Sequence, residues 1–260
     1  RETWLIDQLF STLPGVAHVV VNPGMFADNF LRVIDFASLL RVYPVLTGES
    51  RCAPVANEDI ARVVARLLMD AERHHGQRYR PTGPALLTGR EMAAAIGRVL
   101  GHAVLPIDLP FWMFRKAARM TQVNIHEVYN YREYLRDHRQ DAFSLGDGVT
   151  DVVERITGAP AESFETTARR YASLPFARPT FANRLAAVAR FSILPFYPGY
   201  DLAAYERQMS FPRAPNPKLS SDDPRWLAEH GAGTLRERTR TAMEHLSRDL
   251  QPGADPIVER

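Results

Sequence analysis

The sequence predicts an α/β fold with a largely parallel sheet. Three observations predict it. Apolar, β-branched runs alternate with stretches of helical spacing along the first two thirds of the chain. The clearest run, "VAHVVV" at 16–21, lacks the polar alternation of a strand with one wet face, which is the pattern of a strand covered on both sides. Pro, Gly and capping residues mark the changes from one pattern to the other.

The elements follow in order. Residues 2–13, "ETWLIDQLFSTL", place Trp4, Leu5, Leu9 and Leu13 on one helical face, and Pro14-Gly15 stops that helix. Residues 16–22 read as a central or near-central parallel strand. Residues 26–41 return to helical spacing through Phe26, Phe30, Leu31, Ile34 and Leu39. "CAPVANEDIARVVARLLMD" reads as a short strand entering a helix, with Asn57 as N-cap and Glu58 and Asp59 suited to the positive end of its dipole. Ile60, Val63, Val64, Leu67 and Leu68 form its buried stripe. "QRYRPTG" is a strand leaving through a Pro/Gly turn. "TGREMAAAIGRVLG" is a helix capped by Thr88 and ended by Gly101, and "AVLPIDLP" is a further strand. From Phe111 to Tyr171 the pattern is mainly helical, with a helix over 124–139 that crowds Tyr129, Tyr131 and Tyr134 together.

Near residue 173 the composition turns Pro-rich, dividing the chain into regions 1–172 and 173–260. The second holds an amphipathic helix near 180–194 and a more polar one near 233–249. Phe181, Leu185, Val188 and Phe191 or Ser192 make a stripe on the first of these, with Arg184 and Arg190 beside it. Such a stripe suits either a membrane surface or docking on the protein's own body, and docking is the expectation.

The 260 residues carry 32 Lys+Arg against 30 Asp+Glu, a net charge of +2, so there is no basic stripe of the kind nucleic acid requires. Cys52 is the single cysteine, which excludes an intramolecular disulfide and a thiolate cluster. No run of 18 apolar residues exists, and the N-terminus lacks the order of a signal peptide; a soluble, cytoplasmic protein is expected. G-x-G-x-x-G, the P-loop, G-x-S-x-G and Tyr-x-x-x-Lys are all absent. "HEVYN" at 126–130 begins like a zinc motif but ends in Asn130, so no metal site is expected there.

Five segments occur together in a recognisable order: "VVVNPGMFADNF", "APVANEDIARVVARLLMD", "GQRYRPTGPALLTGREMAAAIGRVLGH", "VLPIDLP" and "TDVVERITGAPAESFETTARRY". Over residues 1 to about 172 the chain thereby resembles the second half of NmrA-like proteins, atypical members of the short-chain dehydrogenase/reductase superfamily. The resemblance implies the C-terminal half of a Rossmann-type doubly wound sheet, a helical substrate-side lobe and a mainly helical extension. It implies NAD(P) as cofactor in a full-length protein whose Gly-rich turn would precede Arg1. The present chain alone is then expected to bind NAD(P)H poorly. Two functions fit the resemblance: a reductase transferring hydride to a carbonyl, quinone or conjugated acceptor, and a non-catalytic NAD(P) sensor with a regulatory partner. A homodimer is compatible with either.

In an open α/β sheet, ligands lie beyond the C-terminal ends of the strands, so a strand ending at Asn22-Pro23 delivers "NPGMFADNF" to that crevice. Pro23 cannot continue a ladder, and Gly24 lets backbone approach a flat ring. The resemblance accordingly assigns Asn22, Pro23, Gly24 and Met25 to the cofactor, and Phe26, Asn29, Tyr129 and Tyr131 to a small-molecule substrate. It names no catalytic residue. An ordinary strand-to-helix turn, with Phe26 in the core, is the competing reading, and the tyrosines suit a half-buried helix as well as a pocket wall.

Overall fold

The structure, a computed structural model, describes residues 2–139, 148–211 and 224. The chain forms two compact units, one of residues 19–212 and one joining Arg1–His18 to 213–260. The described part of the second unit is helix α1 (Glu2–Ser11) and the coil after it. α1 ends where Ser11 and Thr12 turn their hydroxyls onto the Gln8 and Leu9 carbonyls, each at 2.7 Å, and Gly15 then takes a left-handed φ of 72°. The expected helix near 233–249 lies outside the described residues.

The unit of residues 19–212 is α/β with parallel strands. β1 (Val20–Val21) pairs with β3 (Arg78–Tyr79), and β2 (Val42–Val45) pairs with β4 (Leu105–Asp108). Between them run α2 (Ala27–Leu31), α3 (Ile34–Leu40), α4 (Asn57–Met69) and α5 (Gly89–Leu100). Beyond β4 follow α6 (Phe111–Met120), α7 (Ile125–Arg139), α8 (Val152–Thr157), α9 (Phe164–Ala172), α10 (Phe181–Ile193) and α11 (Leu202–Met209).

The central strand expected over 16–22 is corrected. Two residues, Val20 and Val21, are strand, and among the described residues of this chain they pair with one neighbour, β3, rather than two. Val16 is 46% exposed, and the chain from Pro14 to Val19 is coil. A β-branched run reports extended, partly covered backbone; it does not count lateral partners.

β2 was not legible because "VYPV" contains Pro44. The ladder tolerates it. The bonds Leu105 N–H to Arg41 O and Leu109 N–H to Val45 O, both 2.8 Å, fall at odd residues. Pro44 and Pro106 therefore occupy the alternate positions, whose N–H would face away from the partner.

The α5 termini form as expected. Thr88 accepts from Glu91 N while Glu91 accepts from Thr88 N at 2.8 Å, a capping box, and Gly101 closes the helix at φ 73°. The N-cap of α4, by contrast, is Ala56, extended and without a side-chain bond, and Asn57 is already helical.

One core joins Leu31, Ile34, Tyr43, Val45, Met92 and Ile96 to Phe164 and Ala168, so α9 closes over α5 and α3. A second joins Val55, Val63 and Leu67 of the α4 region to Val152 and Val153 of α8. Each large side chain so buried contributes roughly 1.5–3 kcal/mol relative to exposure. Past residue 173 the chain continues on the same body: Ser38 donates to Ala177 O at 2.6 Å, and Ala177 is fully buried.

α10 docks on α3, but by the face opposite the expected one. Ala187 is buried, Arg190 pairs with Asp35 of α3, and Asn183 donates to the Pro175 and Arg178 carbonyls at 2.9 Å. The stripe of Phe181, Leu185, Val188 and Phe191 is exposed. Apolar periodicity marked a face without saying that this face meets protein. No described helix is long and apolar enough to cross a membrane.

Candidate functional site

The segment leaving β1 is held by backbone bonds on both sides. Asn22 N–H donates to Tyr79 O at 2.8 Å and Gly24 N–H to Pro81 O at 3.3 Å, so the loop runs beside the chain leaving β3. Two further bonds of 2.9 Å, Val55 N–H to Met25 O and Ala27 N–H to Val55 O, tie its far end to the entry of α4. Phe26 bridges Val55 in parallel fashion before α2 begins. The β3 side is anchored in turn: Thr150 donates its hydroxyl to Arg80 O at 2.6 Å and its N–H to Thr82 Oγ1 at 2.9 Å.

Two glycines on these strands differ in kind. A Cβ on Gly83 would lie 2.1 Å from Pro54 O, so backbone packing demands glycine there, in the structural "RPTGP" turn. A Cβ on Gly24 would meet nothing within 4 Å, and its φ lies outside the left-handed region. Neither turn geometry nor internal packing requires glycine at position 24.

Of the other residues assigned to the cofactor, Asn22 is exposed and Pro23 half-buried. Met25 turns its side chain into the main core, and its carbonyl accepts from Val55 N–H, so it presents little to a ligand. Phe26 is 38% exposed and is not a core residue. Asn29 is half-buried, and its side chain makes no hydrogen bond among the described residues.

The two tyrosines of α7 part company. Tyr131 packs its ring on Phe114 at 5.3 Å and lies within electrostatic reach of Arg32 and Asp28 on α2. Burial pushes its phenol pKa up, against the pull of Arg32, so the hydroxyl is a neutral donor. Tyr129 faces another way, stacked on Phe211 at 4.9 Å with Tyr205 and the Arg132 guanidinium around it. Two residues along a helix is a turn of about 200°, which separates them. The structure therefore brings Tyr131, and not Tyr129, to the α2 side of the loop. His126 of "HEVYN" joins the Tyr129 group, its Nδ1 3.1 Å from the Tyr205 hydroxyl.

Sequence spacing did not reveal a pair at the C-terminal side of β2. Ser50 Oγ lies 2.9 Å from His138 Nδ1, joining the loop after β2 to the end of α7. The partners are 88 positions apart, so no local motif announces them. Cys52 nearby is buried, which pushes its thiol up to about 12 and disfavours the thiolate. Among the described residues no three His, Cys, Asp or Glu side chains are grouped to hold a metal.

No protein-family model matches the chain. Two of the curated relatives it matches are named as reductases, one of them for NAD(P)H. It is 29% identical over 164 residues to an NAD(P)H azoreductase of Xenophilus azovorans, covering 61% of this chain and 54% of that protein. It is 27% identical over 158 residues to the (4-alkanoyl-5-oxo-2,5-dihydrofuran-3-yl)methyl phosphate reductase of Streptomyces griseus, with coverages of 61% and 54%. The chain spans about half the length of these curated relatives. Among solved structures, a nucleoside-diphosphate-sugar epimerase from Staphylococcus aureus superimposes with a TM-score of 0.52 at 16% identity, over 64% of this chain and 56% of that one. That likeness bears on the fold, and agrees with the α/β architecture described above.

Proposed function

We propose that this chain is the substrate-side part of an NmrA-like, NAD(P)H-dependent oxidoreductase that reduces a carbonyl, quinone or conjugated acceptor. The observation that carries the reading is the loop after β1. It presents, beyond the end of a parallel strand, a glycine that neither backbone conformation nor packing requires. Similarity to two reductases, one named for NAD(P)H, supports the same reading.

The bound dinucleotide supplies the hydride, and the protein supplies position and electrostatics. Pro23-Gly24 would lie along the nicotinamide face, where the missing side chain allows contact with backbone. Phe26 would shield one side of the acceptor from water. Asn29 offers an amide with no hydrogen bond among the described residues, and Tyr131 a phenol held neutral by burial. Either can hydrogen-bond an acceptor oxygen as negative charge develops on it.

The test is acceptor-dependent NAD(P)H oxidation by the full-length protein, across quinones, azo dyes and conjugated carbonyls. Oxidation that requires both protein and acceptor is expected. Cofactor binding without turnover of any acceptor would instead establish the sensor reading.

A further inference from the structure

Residues 173–200 contain Arg178, Arg184 and Arg190 and no acidic residue; residues 109–124 contain Arg115, Lys116 and Arg119 and again no acid. The structure brings these two segments together. Lys116 Nζ donates to Pro195 O, and Arg119 donates to Gly199 O at 3.1 Å.

α10 is paired to α3 through Arg190 and Asp35, with Ala187 buried, Asn183 bonded to the Pro175 and Arg178 carbonyls, and Leu194 buried in the turn that follows. The opposite side of this assembly is apolar and open. Phe181 is 83% exposed, Leu185 60%, Val188 49% and Phe191 49%, and Phe196 in the following turn is 88% exposed. Phe181, Leu185 and Val188 recur at helical spacing and so project together. Exposed apolar side chains at this density mark an interface.

The surrounding charges indicate which interface. Arg184 is exposed within the apolar face and has no ion pair among the described residues. On α6, which Lys116 ties to the turn through Pro195 O, Trp112 is 48% exposed, with Lys116 Nζ 5.4 Å from its ring centroid. Trp112, Arg115 and Lys116 line an open cleft of about 260 Å³ with Gly199, Tyr200 and Asp201. Arg115 donates to Tyr200 O at 2.9 Å, while Asp201 caps α11 through Ala204 N–H at 3.0 Å. A second copy related by two-fold symmetry would set this cationic rim against itself. An anionic bilayer complements it: apolar residues on one helix face with Arg184 among them, and an exposed Trp beside Lys116 on the adjoining helix, as interfacial segments carry.

We propose that this face docks the protein on an anionic lipid bilayer. α10 lies in the plane of the interface with Phe181, Leu185, Val188 and Phe196 at the acyl boundary, and Arg184, Arg115 and Lys116 meet lipid phosphates. The test is flotation of the full-length protein with vesicles of phosphatidylglycerol and phosphatidylcholine in equal parts, beside phosphatidylcholine alone. Binding to the anionic vesicles should exceed binding to neutral ones by about tenfold or more, and should weaken as salt rises. Leu185→Ser with Phe196→Ser should lower it by about tenfold or more, at unchanged melting temperature, because both side chains contact solvent in this chain. Arg184→Glu and Lys116→Glu should each lower it about fivefold. Failure to float with anionic vesicles overturns the proposal. So does equal flotation of the wild type and the double serine variant. A dimer that the serine variant dissociates, without vesicle binding, would assign the face to a second copy.

Discussion

The Asp59 carboxylate is wholly buried in the first turn of α4. Its Oδ2 accepts from Glu162 N–H at 2.7 Å, its Oδ1 pairs with Arg62, and it thereby ties α4 to the segment before α9. A first-turn acid favours the helix dipole on any helix. This one also satisfies a backbone donor more than a hundred residues away, which no local pattern in "NEDIA" discloses. Asp59→Ala should lower stability by about 1–3 kcal/mol, because the Glu162 N–H loses its acceptor. Asp59→Asn keeps an acceptor and should lose less. Chemical denaturation measures both, and equal stability of wild type and the alanine variant would remove the latch. The same scale separates the glycines: a Cβ on Gly83 would strike a backbone oxygen, whereas one on Gly24 would meet nothing within 4 Å among the described residues. Their letters in the sequence are identical, and only the surrounding backbone distinguishes them.

At the scale of elements, the seating of α10 on α3 depends on one partly buried ion pair. Arg190 Nη2 donates to Asp35 Oδ2 at 2.8 Å, with the guanidinium 5.7 Å from the Phe36 ring centroid. Burial raises the Asp35 pKa more than Arg190 and the backbone donors lower it. A carboxyl raised in the folded state contributes stability that is complete below the ordinary carboxylate range. That contribution is lost as pH rises through the folded-state value. Asp35→Asn should therefore gain on wild type as pH climbs from that range to neutrality, and melting curves over that window measure it. Arg190→Met should cost about 1–3 kcal/mol at neutral pH by leaving Asp35 charged and buried, with the loss shrinking in acid. A pH trend of opposite sign in Asp35→Asn would show that the pair outweighs desolvation. Elements with strong local signals were legible: the Thr88 cap, the Gly101 terminator, and Val63 and Leu67 of the α4 stripe, although Leu68, read as part of that buried stripe, is 73% exposed. Those decided by partners were not. β2 was hidden by Pro44, β1 was overextended from its valines, and the α10 stripe faces away from the body it was expected to meet.

At the scale of the molecule, the α/β class followed from alternating patterns, whereas the grouping of site residues did not. The loop could be placed at a strand end because Pro-Gly after an apolar run is a local signal. Helical spacing already sets Tyr131 and Tyr129 on different faces of α7, but which face meets which neighbours is decided by tertiary packing, Phe114 on one side and Phe211 and Tyr205 on the other. Ser50 and His138 meet only through tertiary structure.

The central claim is that the loop after β1 lies against a nicotinamide ring, and Gly24→Val in the full-length protein tests it most directly. Gly24 has no left-handed φ, and an added Cβ has free space, so the variant should keep the wild-type melting temperature to within a few degrees. The new side chain would occupy the space assigned to the ring, so the dissociation constant for NAD(P)H should rise by about tenfold or more, equivalent to at least about 1.4 kcal/mol. Both quantities come from one purified variant, by thermal melting and by cofactor titration. An unchanged dissociation constant in a normally folded variant would contradict the account and leave "NPGMFADNF" as a strand-to-helix turn.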